Sequence, residues 1–152
     1  MIYFDKGEGN TEHSIEFFRS WLKNNPMFKP QWACIGQNEG IYNFRIQGDL
    51  AIPVSVAPGV IVDDPDALKP TYEPVTVALS GCSCGYGGEG PHGTLAVLNY
   101  LMDKNFDHRR TGPGHYLNED PELRNAVFTH HHIHVSLEEL PKFSFEVVED
   151  SV

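Results

Sequence analysis

Between Val75 and Met102 the chain passes from an alternating apolar run, through a glycine-rich stretch, into a segment apolar on almost every side. This order constrains the fold more than any other feature. Val75, Val77 and Leu79 alternate as one buried face of a strand does. Gly81 to Gly93 then holds six glycines in thirteen residues. From Pro91 or Thr94 to Met102 the pattern predicts a helix carrying Leu95, Ala96, Val97, Leu98, Leu101 and Met102. A helix without a wet face has to sit centrally, packed on other elements.

The flanking segments supply those elements. Asn10 or Thr11 caps a first, amphipathic helix whose Ile15, Phe18, Trp21 and Leu22 share one face, and Pro26 stops it. Trp32 to Ile35 and Ile41 to Gln47 read as strands joined by a hairpin turn at Asn38-Glu39-Gly40. In the second, Tyr42, Phe44 and Ile46 face inward while Asn43, Arg45 and Gln47 stay wet. Leu50 to Val62 reads as an edge strand, a bend and a short strand, broken by Pro53 and Pro58-Gly59. Asp63-Asp64-Pro65-Asp66 opens a polar loop that runs to Pro74. After the central helix, Thr111 to Asp120 reads as a loop around Gly112-Pro113-Gly114, and Asp120 caps a short helix from Pro121. A strand is predicted over Ala126 to Val135, a helical turn over Ser136 to Glu139, and a last strand over Phe143 to Val148. Strands outnumber helices and come in hairpin-like runs. The expected class is α+β, one domain over residues 1–152 with a mainly antiparallel sheet.

Composition agrees and narrows function. A chain of 152 residues buries roughly 70% of its unfolded surface, so it folds without disulfide or metal. Eleven Lys and Arg against 21 Asp and Glu give a formal charge of −10, which argues against nucleic acid or an anionic membrane as partner. No apolar run reaches the ~18 residues of a membrane span. The start Met1-Ile-Tyr-Phe-Asp-Lys-Gly lacks the basic and apolar regions of a signal peptide, so a cytoplasmic protein with reduced cysteines is expected.

The glycine stretch is the first candidate site. Glycines let several backbone amides approach one group, and the helix N-terminus behind them favours a phosphate or carboxylate. Gly85, Tyr86, Gly87, Gly88, Gly90, His92, Gly93 and Thr94 are the candidate ligand-binding residues, with Arg109 and Arg110 able to close on a phosphate. The lysine of a Walker A loop and the dinucleotide glycine spacing are both missing. The structural alternative is a tight strand-to-helix turn, with Glu89 complementing the helix dipole. Gly85-Tyr86-Gly87-Gly88-Glu89-Gly90-Pro91, leading into Leu95-Ala96-x-Leu98, resembles a Gly-Tyr-Gly-Gly-x-Gly-Pro signature. That signature precedes a hydrophobic helix in small uncharacterised proteins of bacteria, archaea and their phages. The resemblance implies a prokaryotic or phage accessory protein in which this loop matters, and it carries no activity.

Histidine and cysteine supply the remaining candidates. His130, His132 and His134 share one face if Thr129 to His134 is a strand, and Cys82, Cys84 or His92 can complete a tetrahedral site with them. Cys-x-Cys is a poor structural-zinc spacing, so no metal or other cofactor is expected. Cys82 or Cys84 at a helix N-terminus, with His92 as base, are candidate catalytic residues for a small thiol or zinc enzyme. No family-type catalytic signature surrounds them, and an enzyme is the less favoured reading. The leading expectation is a non-enzymatic, acidic binding protein of bacterial or phage conflict systems, an immunity or anti-defence inhibitor occupying a basic toxin or defence factor. The alternative is a binder or sponge of a phosphate-containing nucleotide signal.

Overall fold

The computed structural model describes residues 1–37, 40–52, 56–103, 105–110 and 120–148. Along the chain come β1 (Ile2–Phe4), α1 (Thr11–Asn24), β2 (Phe28–Gly36), β3 (Phe44–Ile52), β4 (Thr71–Leu79), α2 (Glu89–Met102), α3 (Pro121–Thr129), β5 (His132–Ser136) and β6 (Ser144–Val147). Short 3-10 turns lie at Pro65–Leu68 and His108–Arg110. The strands form one six-stranded sheet in the order β1-β4-β3-β2-β5-β6. Among the described residues only β1 on β4 is parallel; the other pairings are antiparallel, so the class is α+β as the patterning predicts. Among the described residues no helix is long and apolar enough to cross a membrane.

Strand alternation divides the sheet into two unlike faces. In register, Val77, Ile46, Ala33 and Val135 lie side by side, as do Leu79, Phe44, Ile35 and Ile133. These residues form one buried cluster with Ile15 and Phe18 of α1, Leu95 to Leu98 of α2, and Leu123 and Val127 of α3. Alternate residues make the second face: Phe4, Ala78, Arg45, Cys34, His134 and Glu146 across the strands, with Ile2, Thr76, Gln47 and Trp32 beside them. The helices thus cover one face, and among the described residues none covers the other.

Caps decide where the helices start. Asn10 accepts the His13 amide at 2.9 Å and begins α1. Asp120 accepts the Glu122 and Leu123 amides and begins α3, with Pro121 as its first residue. The cap corrects the predicted strand over Ala126 to Val135. Once α3 is nucleated, Leu123, Ala126 and Val127 bury at helical spacing, so the helix continues to Thr129 and only His132–Ser136 is strand.

Two further expectations are corrected. Leu50 belongs to β3, which lies between β4 and β2 and is an interior strand, not an edge. Its described ladder with β4 runs to the Ile52–Thr71 pair, and residues 56–62 contain no strand. Glu138 to Pro141 form a turn rather than a helix, with Lys142 N–H donating to the Glu139 carbonyl at 2.9 Å. The Asn38-Glu39 part of the predicted hairpin, Pro53, and the Gly112-Pro113-Gly114 loop lie outside the described residues.

Candidate functional site

The glycine stretch begins in the core. Asp5, at the end of β1, accepts the Ser14 hydroxyl at 2.5 Å, the Ser80 amide at 2.8 Å and the Gly7 amide at 2.9 Å. Burial alone would raise its carboxyl pKa, but the hydrogen bonds from Ser14, Ser80 and Gly7 outweigh it and hold Asp5 below the ordinary value. Ser14 Oγ also accepts the Gly81 amide at 2.8 Å, and Thr11 donates its hydroxyl to the Gly81 carbonyl at 2.7 Å. A side chain at Gly81 would run into the Asn10 backbone, so glycine is required by the close approach of α1.

Farther along, the stretch is bonded to itself and to the core. Thr94 donates to the Ser83 carbonyl at 2.7 Å, Ser83 N–H to Gly90, and the Ser83 hydroxyl to the Tyr86 oxygen at 3.1 Å. Gly85 sits at φ +91°, against His131 and Gln37, and donates its amide to Val127 at 2.8 Å. Gly93 packs on Thr11 and Cys82. Only Tyr86, Gly87 and Glu89 are exposed, next to Gly88, which begins α2 without a side-chain cap. Most of the expected ligand-binding residues therefore pack the strand-to-helix turn.

Arg109 and Arg110 follow the carboxyl-terminal end of α2, whereas the glycine stretch leads into its amino-terminal end. Arg109 instead makes a two-pronged ion pair with Asp107, at 2.9 and 3.0 Å, which pulls the Asp107 carboxyl far below its ordinary range. Beside them His108 is fully buried, its Nε2 2.8 Å from Glu12 and its Nδ1 2.6 Å from the Tyr100 hydroxyl. This imidazole joins α1 to the end of α2.

Thiol chemistry at the loop is disfavoured by burial. Cys82 and Cys84 are wholly enclosed, and burial, with the Asp5 carboxylate behind it, pushes the Cys82 thiol far up. Cys84 donates to the Ile35 carbonyl at 3.6 Å. The His92 ring packs edge-on against Phe128 at 4.9 Å, and its Nδ1 is buried with no hydrogen-bond partner among the described residues.

The histidine run divides among three environments. His130 closes α3, donating its amide to Ala126, and is not on a strand with the others. His131 lies against Gly85. His132 and His134 occupy the open face of β5, where their rings approach at 5.3 Å. The cysteine they meet is Cys34, not Cys82 or Cys84: its Sγ lies 3.2 Å from His132 Nε2, and His134 stands directly opposite it in the β2–β5 register. The three donor atoms lie within 4.8 Å of one another. The alternation of Trp32 and Cys34 with Ala33 and Ile35 carried the one sequence signal that Cys34 faces away from the core.

The open face around this cluster is apolar for a solvent-facing sheet. Ile2, Phe4, Trp32, Ile41 and Tyr72 are 37–63% exposed. Phe4 and Tyr42 pack at 4.9 Å beside a shallow 340 Å³ depression bounded by Ile2, Ile41 and Arg45. The charged residues that register places on this face are Lys29 and Arg45 against Asp49 and Glu146, which balance. The formal charge of −10 therefore does not come from these strand residues. No protein-family model, curated protein or solved structure matches the chain.

Proposed function

We propose that this chain is a non-enzymatic binding protein of a bacterial or phage conflict system, an immunity or anti-defence inhibitor that docks through its open sheet face onto a basic protein partner. The observation that carries this reading is the exposed group Ile2, Phe4 and Ile41 around one depression, with Trp32 and Tyr72 exposed elsewhere on the same face, which no described helix covers. Single exposed apolar residues are ordinary, but a group of them on one face marks a contact surface. Charge supports a basic partner. The face itself is balanced while the molecule carries −10, so the flanking field draws a basic surface toward an apolar contact.

Retention from host lysate on immobilised protein tests the reading when combined with surface variants. Phe4→Asp and Ile41→Asp should release a basic partner at least ~10-fold faster, equivalent to about 1.4 kcal/mol, and Ile41→Asp, at the most exposed of these positions, should do so without lowering the melting temperature. Rising salt should weaken the same complex, because exposed charge is screened beyond about 8 Å at physiological ionic strength. A partner indifferent to both substitutions sinks the proposal. Capture of a phosphate-bearing metabolite that Gly88→Ala abolishes would replace it with the nucleotide-sponge reading.

A further inference from the structure

We infer that Cys34, His132 and His134 form a binding site for a single divalent zinc ion on the open face of the sheet. The donor set matches the metal: one thiolate and two imidazoles suit zinc, whereas calcium and magnesium take oxygen ligands. The spacing matches as well. Zinc–sulfur bonds near 2.3 Å and zinc–nitrogen bonds near 2.0 Å, at tetrahedral angles, separate sulfur from nitrogen by about 3.5 Å and nitrogen from nitrogen by about 3.3 Å. Cys34 Sγ and His132 Nε2 are 3.2 Å apart, and no pair in the set exceeds 4.8 Å. Every pair thus lies within about 1.5 Å of its tetrahedral separation.

The platform is rigid. β2 and β5 are both interior strands, hydrogen-bonded on two sides, so the Cα positions of the three ligands are fixed by the sheet. Trp32 stacks on the His134 ring at 6.0 Å and restricts its swing. Cys34 is nearly buried while His134 is exposed, so an ion enters from the solvent side and ends on a sheltered sulfur. Binding replaces the Cys34 S–H bond by a sulfur–zinc bond and releases that proton to water, leaving each imidazole neutral and bound through nitrogen. Three protein ligands leave the fourth tetrahedral position to a water molecule. The site stands whether or not a protein docks on the same face.

Untagged protein titrated with zinc under a competing chelator, and with cobalt(II) as spectroscopic probe, tests the assignment. One equivalent should bind, and cobalt should give tetrahedral ligand-field bands with a thiolate charge-transfer band. Cys34→Ser should abolish that band, and His134→Ala, at an exposed position, should weaken zinc at least ~10-fold. His130→Ala should leave both unchanged, because His130 lies outside the set. Cobalt binding without a charge-transfer band overturns the site. So does affinity that falls with His130→Ala as much as with His134→Ala, which would mark adventitious binding by the histidine run.

Discussion

Ser14 donates its hydroxyl to the Asp5 carboxylate at 2.5 Å and accepts the Gly81 amide at 2.8 Å, so one serine joins the first strand, the first helix and the glycine stretch. Asp5→Asn keeps the shape and removes the charge that these donors serve. It should cost about 1.5–3 kcal/mol, the range for hydrogen bonds to a charged group, in urea unfolding at neutral pH.

The same carboxylate sets an acid limb. Its folded pKa lies below the unfolded value of about 3.9, so its contribution is complete above that value and fades as pH falls through the folded pKa. Unfolding free energy measured between about pH 5 and pH 2 should fall more steeply for the wild type than for Asp5→Asn. Parallel acid limbs would remove Asp5 from the account.

Tyr100 is the second joint. Its hydroxyl meets both the Nδ1 and the backbone amide of buried His108, at 2.6 and 3.2 Å. Tyr100→Phe should destabilise by about 1–3 kcal/mol, the cost of removing a partner from buried polar groups. Tyr86→Phe, which removes only the part-buried bond from Ser83, should cost less in the same melt.

The glycines should separate by position. Nothing lies within 4 Å of a Cβ built at Gly87, so Gly87→Ala should stay within about 0.5 kcal/mol of wild type. Gly85 combines φ +91° with His131 and Gln37 close by, and Gly85→Ala should cost more than about 1 kcal/mol. Equal urea midpoints for the two variants would show that the loop is not packed as described.

Thiol labelling checks the burial of the loop cysteines. In native protein near pH 9, where an ordinary thiol with a pKa of about 8.5 is largely ionised, iodoacetamide should spare Cys82 and Cys84. Unfolding in denaturant should expose all three thiols to the reagent. Rapid native labelling of Cys82 would revive it as a nucleophile.

Local signals in the chain determined the helices and most strands. Asn10 and Asp120 cap α1 and α3, Pro26 follows the end of the first helix, and Phe44 and Ile46 alternate with Arg45, each acting within a few residues of itself. The boundary between α3 and β5 was less legible, because Ala126 to Val135 is apolar enough for either state until the Asp120 cap and the packing of Leu123 and Val127 choose. The glycine stretch was legible as an unusual feature, but its use was not: Gly81 and Gly93 are small because α1 lies against them, and α1 is some seventy residues earlier in sequence. Tertiary structure alone decided the metal-ligating set. Side-chain parity follows from position along one strand and can be counted, whereas register between strands depends on how the whole sheet assembles. Cys34 and His132 are 98 residues apart, and only the alignment of β2 on β5 brings sulfur and nitrogen to 3.2 Å.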